Sequence, residues 1–446
     1  MAYTKRIILI VACTSVALGI GTDLTVLECL AVGITLFNCI IYFYTLGKKI
    51  NINELVLFIT SVQIVFMPMI TYIFHPEKMP LDSNTYLSYT VPAIVVFTLG
   101  FYVTFYKLDA HDMYLHRVRE YLQEKQSIAF ILFFIGLTGV FISYFMPIAF
   151  KNIANLFANC LYIAVLYGVY IKGKYKYFFF GITLTLMLIQ TVQQGMFGQL
   201  FIWSLLWMSF LLVGVKWADT FRFKFTLMLC GILAIPVMQA VKFQYRTETW
   251  GNTTDERRGD AELMQVLILN HLRDYTSLLD PDILFGSFGR LNQGYLVATT
   301  MVHVPHYEPY ADGEIISHFF YPFVPRLLWA DKPITGGYDN MRRFANIENS
   351  ANNSSNISPV GEGYVNFGKF GGIVFIFFYA LLFNYIYQLI LKLSVRRPSL
   401  ILWIPSLFIA TLSIETDVLT IWGTFVNGSI FLILFIHLLK RLNIAI

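Results

Sequence analysis

Charge is scarce in this chain. Asp, Glu, Lys and Arg make up 13% of its 446 residues, about half the ~25% usual in a soluble domain. There is no P-loop, no dinucleotide fingerprint, no H-E-x-x-H and no G-x-S-x-G elbow. That removes the common nucleotide-hydrolysing, redox, zinc-protease and serine-hydrolase readings. Cys13, Cys29, Cys39, Cys160 and Cys230 all fall in apolar runs, and none forms a CxxC pair. They read as small buried hydrophobes rather than ligands or a disulfide framework. Ionisable groups are nearly missing from the interiors of the apolar runs. Glu28 and Glu54 lie near run ends, and Asp23, Glu415 and Asp417 lie in or beside short turns. Pumps and ion-coupled carriers place such groups at mid-membrane, so their scarcity argues against transport.

What the chain has is apolar length. Hydrophobic residues reach 57%, with 41 Phe and 27 Tyr, more than a water-soluble fold can hide but suited to helices facing lipid. The runs predict an all-α polytopic membrane protein with about twelve spans, at 7–22, 25–46, 54–74, 87–106, 127–149, 153–171, 177–193, 197–215, 225–241, 370–391, 400–414 and 418–438. The first reads as an uncleaved helix, because a second begins at Val26 and no clear A-x-A site precedes it.

The basic residues divide by side. With the N-terminus in the cytoplasm, the cytoplasmic loops hold Lys48 and Lys49; Lys107, Arg117, Arg119 and Lys125; Lys172, Lys174 and Lys176; Lys216, Arg222 and Lys224; and Lys392, Arg396 and Arg397. Lys440 and Arg441 follow at the C-terminus, while the short loops opposite hold only Lys78 and Lys151. This positive-inside bias predicts both termini in the cytoplasm and an extracytoplasmic segment at 242–369. The chain thus divides into a membrane region at 1–241 with about nine spans, a large outer loop at 242–369, and a second membrane region at 370–446 with about three. The net charge of +5 is topological and implies no nucleic acid.

The loop, at about 130 residues, is far too long for a plain connector. It holds eleven Lys and Arg against fifteen Asp and Glu. Residues 261–279 have the spacing of an amphipathic helix, with Asp260 as its N-cap. A second helix is expected after Asp280-Pro281-Asp282, carrying Arg290. The 315–329 stretch is apolar and aromatic, but Pro322 and Pro325 break it; it reads as dipping into the headgroup layer with Trp329 at the interface.

Two motifs carry a resemblance. Pro325-Arg326-Leu327-Leu328-Trp329-Ala330-Asp331-Lys332-Pro333 precedes Gly361-Glu362-Gly363-Tyr364-Val365-Asn366-Phe367-Gly368-Lys369-Phe370-Gly371, just before a late span. With Lys242-x-x-Tyr245-Arg246 at the loop's start, this resembles the Wzy-type oligosaccharide repeat-unit polymerases of bacteria, in detail over about a third of the chain. The resemblance implies the helical bundle and long outer loop of O-antigen ligase-like glycosyltransferases. It implies a bacterial cytoplasmic (inner) membrane location and transfer of a growing glycan from undecaprenyl diphosphate onto a new lipid-linked unit. It implies undecaprenyl-diphosphate-linked oligosaccharide, membrane lipid, a flippase and a chain-length regulator as partners, and no cofactor. A ligase or an exporter is the competing reading.

That chemistry needs cations for the leaving diphosphate and a base for the acceptor hydroxyl. Arg246, Arg290, Arg326 and Lys332 are the diphosphate candidates, because guanidinium pairs bidentately with phosphate oxygens. Trp329, Tyr364 and Asn366 are substrate-binding candidates. Glu362 is the favoured base, placed where burial would bring its proton affinity towards neutral pH; a helix-start carboxylate is the plainer alternative. His318 is the second candidate. The Arg257-Arg258 and Arg342-Arg343 doublets read as solvated faces. His303, His306 and the Asp280/Asp282 pair invite a metal, but a metal-free mechanism is simpler with this many arginines. Gly368 and Gly371-Gly372 read as either a close backbone approach or a hinge. The orientation is directly testable: single cysteines in 242–369 should react with a membrane-impermeant maleimide on intact cells. Labelling only after lysis would invert the topology.

Overall fold

The computed structural model describes residues 2–442 except 124, 144, 147, 172–174, 251–258, 280–285, 287, 290, 325–328, 330–331, 334–336 and 349–354. Arg257, Arg258, Asp280, Asp282, Arg290 and Arg326 lie outside the described residues. Those described are mostly helical, with no β-strand among them. The principal helices are α1 (Ala2–Gly21), α2 (Val26–Thr45), α3 (Ile52–Phe74), α4 (Ser83–Tyr102), α5 (His111–Leu122), α6 (Gln126–Ser143), α7 (Ile148–Tyr170), α8 (Lys176–Gln194), α9 (Gly198–Leu211) and α10 (Phe221–Thr249). They continue with α11 (Ala261–Arg273), α12 (Gly294–His303), α13 (Ile315–His318), α14 (Tyr338–Ala345), α15 (Ser358–Ser394) and α16 (Val418–Arg441).

Among the described residues, eight helices are long and apolar enough to cross a membrane: α2, α3, α4, α6, Ile153–Tyr170 within α7, α10, α15 and α16. The chain is therefore a polytopic helical membrane protein. The expected spans at 7–22, 197–215 and 400–414 fall on shorter apolar helices, and that at 177–193 falls on α8. The fourteen residues of α9 extend about 21 Å, short of a ~30 Å hydrocarbon core. Pro398 and Pro405 divide Pro398–Leu412 into 3-10, α and 3-10 turns. Helices also outrun their apolar limits: α10 continues to Thr249 and α15 begins at Ser358. Hydropathy marks where lipid contact ends, whereas backbone hydrogen bonding continues. The cysteines divide too. Cys29 and Cys160 are buried, but Cys13 and Cys230 lie exposed on apolar helices, where lipid rather than protein would cover them.

Proline shapes the interior. Pro68 has no N–H for the Ile64 carbonyl, and α3 widens into a π-turn over Val62–Phe66 just before it. The Tyr86 hydroxyl donates to that carbonyl at 2.7 Å. Neutral amides join helices elsewhere. Asn38 donates to Ser61 and Thr98, and Asn384 donates to the Gly100 and Val103 carbonyls that end α4. Each supplies a partner to a buried polar group, at about 1–3 kcal/mol per group left unpaired.

The loops sort into two ends. At one, Gly214 N–H donates to the Gly47 carbonyl, Lys224 reaches Tyr44 and Asp219, and Lys392 lies over Tyr106. This end gathers the basic loops. At the other, Asn292 donates to Thr71, Ser83 to Glu28 and Lys369 to Ser88. This end carries 242–369. At the basic end, Ile50 N–H donates to His111 Nδ1 at 3.0 Å. Burial, with the nearby Lys49 charge, pushes that imidazole from about 6.5 down to about 3. The unfolded chain then binds a proton that the folded chain refuses, so stability falls as pH drops below about 6.5. We expect a loss of about 2 kcal/mol at pH 5 relative to pH 7 from this group. His111→Gln, which keeps an acceptor but does not titrate, should remove that increment from acid titrations of detergent-solubilised protein; an unchanged pH dependence would refute the assignment.

Candidate functional site

The site begins at a fold in α15. Gly368 has φ 64° and ψ −168°, a conformation open to glycine at little cost. It divides α15 into an arm at 358–367 and a span at 369–394. The two halves come close: a Cβ on Gly372 would lie 2.8 Å from the Tyr89 hydroxyl and 2.9 Å from the Gly363 carbonyl. The glycines therefore serve close approach. The arm starts at Ser358, itself at φ 66°, with Pro359 at the first turn.

Glu362 projects from this arm and is 2% exposed. Its Oε2 accepts from Val418 N–H at 2.6 Å and its Oε1 from the Asn340 amide at 3.0 Å. Asp417 caps the same α16 N-terminus, accepting from Thr420 N–H at 2.7 Å. Two carboxyl groups thus meet one helix end, whose unpaired N–H groups and macrodipole offset part of the cost of burying them side by side. Asn366 braces the arm against α13: its Nδ2 donates to the Glu362 carbonyl at 2.9 Å, and its Oδ1 accepts from Ile315 N–H at 3.0 Å.

These residues border a cavity of about 130 Å³, lined also by Glu314, His318, Tyr321, Asp339 and Arg343. Arg343 donates from Nε to Glu308 at 2.6 Å and from Nη1 to Glu314 at 2.8 Å. His318 Nδ1 is buried and unpartnered. Burial lowers this imidazole below its ordinary value, against the upward pull of Asp417 and Glu314. It is therefore neutral at pH 7 and able to take a proton. Carboxylates and amides of this kind suit hydroxyl-rich ligands, as acceptors of hydroxyl protons and donors to ring oxygens.

A second cavity, of about 240 Å³, opens between α8, α9 and α10 at the same end. Lys242, Arg246, Gln190, Thr191, Gln194 and Gln199 line it. Arg246 Nε donates to the Gly195 carbonyl at 2.8 Å, and its guanidinium lies 4.2 Å from the Trp250 ring centroid. Tyr245 locks the neighbourhood, donating to the Val192 carbonyl and accepting from Asp260 N–H. This lining is cationic, where the first is dominated by carboxylates.

The structure brings Glu362, His318 and Asn366 to one cavity and Arg246 to the other. Trp329 packs edge-on to Tyr321 at 4.9 Å, and Lys332 Nζ donates to the Val324 carbonyl at 2.9 Å. Tyr364 packs on Tyr89 and Tyr310 instead of lining the first cavity. Sequence reasoning missed Glu314, Asp339, Asn340, Asp417 and the glutamines, and took Arg343 for a solvated face. Arg343 is 42% exposed, yet it lines the cavity, and its partners are 29 and 35 positions away, beyond any local pattern. Asp417 did leave a trace: a carboxylate with Thr420 three residues on, opening an apolar run, is a helix-start signal. Replacing Asn366 by Leu should cost about 1–3 kcal/mol by stranding the Ile315 N–H that its Oδ1 now accepts from. Thermal unfolding in detergent reads this, and unchanged stability would remove the brace.

No curated protein and no solved structure matches this chain. Residues 88–393 do match a family model, the domain of unknown function DUF8712. The match takes in both cavities except Asp417 and Leu419. It covers more than half of the chain, which therefore belongs to the DUF8712 family.

Proposed function

We propose that this chain is a membrane glycosyltransferase that polymerises undecaprenyl-diphosphate-linked oligosaccharide repeat units. In this reading it crosses the bacterial cytoplasmic membrane about twelve times, keeps both termini in the cytoplasm and works on the outer face. The observation that carries the reading is the pairing, at one end of the bundle, of a cationic amide-lined cavity with a carboxylate–histidine cavity.

The two cavities divide the chemistry. The donor diphosphate occupies the Lys242–Arg246 cavity, whose cations offset the charge that develops on the leaving group. The acceptor sugar occupies the Glu362 cavity, its hydroxyl facing Glu362 and His318. As the new acceptor O–C1 bond forms, the donor C1–O bond to phosphate breaks. The hydroxyl proton passes to Glu362 or to neutral His318, and undecaprenyl diphosphate leaves with the electron pair. Asn340 and Val418 N–H hold the Glu362 carboxylate in place, and Arg343 fixes Glu314 at the rim. Arg290, Arg326 and Lys332 are the further diphosphate candidates of this reading.

In a deletion strain carrying plasmid-borne variants, Glu362→Gln should lower polymer formation by at least about 100-fold. Arg246→Ala should lower it by about 10²–10³. Both should leave surface lipid bearing a single repeat unit, at normal protein level. Wild-type chain length in either variant would remove that residue from the reaction. Accumulated lipid-linked polymer without transfer would favour a ligase, and repeat units trapped inside would favour an exporter.

A further inference from the structure

Apolar surface left uncovered near the first cavity is concentrated on one short stretch. Ile316, Phe320 and Phe323 are 55%, 68% and 59% exposed. Their spacing of four and three puts them on one face of α13 and the 3-10 turn at Tyr321–Phe323. Between Ile315 and Val324 there is no Asp, Glu, Lys or Arg, and His318 lines the carboxylate cavity together with Tyr321. The stretch is two-sided. His318 and Tyr321 face the cavity, and Ile316, Phe320 and Phe323 face outward.

Its depth is set by α16. Trp422 Nε1–H donates to the Phe319 carbonyl at 2.8 Å, and the two rings are 5.6 Å apart. A Cβ on Gly423 would meet Pro322 at 3.8 Å. Trp422 lies four residues beyond Val418, about 6 Å along the helix axis. The stretch therefore runs beside the first turn of α16 instead of resting above it. Because α16 has the length and hydropathy of a membrane span, that level is where headgroups give way to acyl chains.

We infer that Ile316, Phe320 and Phe323 insert into the adjacent leaflet as a wedge, so that this stretch is a wall with lipid on one side and the carboxylate cavity on the other. The occupant of the exposed face is lipid. A soluble partner would have to reach below the headgroups beside a membrane crossing to cover it, and a second copy lying alongside in the bilayer is told apart by the test below. The inference stands on the depth of the stretch and is independent of the reaction proposed above.

The test uses full-length protein with the exposed Cys13 and Cys230 replaced by Ala, reconstituted in vesicles of phosphatidylethanolamine and phosphatidylglycerol. Nitroxide labels are placed singly through Ile316→Cys, Phe320→Cys and Phe323→Cys. Tyr307→Cys, 78% exposed in the turn after α12, is the aqueous control. Power saturation with oxygen and a nickel chelate should place the three labels about 5–10 Å into the headgroup–acyl boundary, with Tyr307→Cys in water. Nickel accessibility equal to that of Tyr307→Cys would overturn the wedge. So would dipolar broadening between labels, which would assign the face to a second copy. If a cysteine variant fails to fold, Phe320→Trp with brominated lipids replaces it. Added tryptophan fluorescence quenched by bromine near the headgroups supports the wedge, and unquenched added fluorescence overturns it.

Discussion

The hydrogen bond from Val418 N–H to the Glu362 carboxylate holds the rest of the site together. It joins the arm of α15 to the start of α16 through two residues 56 positions apart in the chain. A buried carboxylate needs donors, and a buried helix start needs acceptors. Each supplies the other here. Asn340 brings α14 to the same carboxylate, and Asn366 brings α13 to the same arm. The cavity is the space these four elements leave when those bonds are made. The glycine fold at Gly368 makes the geometry available, because a straight α15 would carry Glu362 away from α16.

The two cavities differ in charge for a reason of position. Lys242 and Arg246 stand one helical turn apart near the end of α10, where the chain leaves its apolar run. Long basic side chains are tolerated at such ends because their stems pack and their heads reach polar surroundings. The carboxylates gather around helix starts and turns instead, where the N–H groups that open α16 hold Glu362 and Asp417. Helix polarity thus separates cationic from anionic linings at one end of the bundle.

Much of this was readable in the residues, and the rest was not for identifiable reasons. Apolar periodicity located the helices, and Asp260 caps α11 as its type and place suggest. The helix stops at Arg273 and not at 279, because the chain continues as a 3-10 turn from Tyr275. Glu362 and His318 were visible as lone ionisable groups beside apolar or glycine-rich sequence. Their convergence with Asp417 depends on the contact between α15 and α16, which no local window contains. Arg343 looked like half of a solvated doublet because charge alone does not reveal partners. The π-turn in α3 follows from Pro68, but the Tyr86 hydroxyl that completes it comes from another helix.

One consequence follows from where Glu362 finds its donor. Val418 is the first residue of the last crossing, so the carboxylate is anchored to a rod whose tilt answers to the thickness of the surrounding bilayer. Lipids with longer chains stand such a rod upright, and shorter ones lean it. Acyl-chain length thereby becomes a mechanical input to the position of a single side chain.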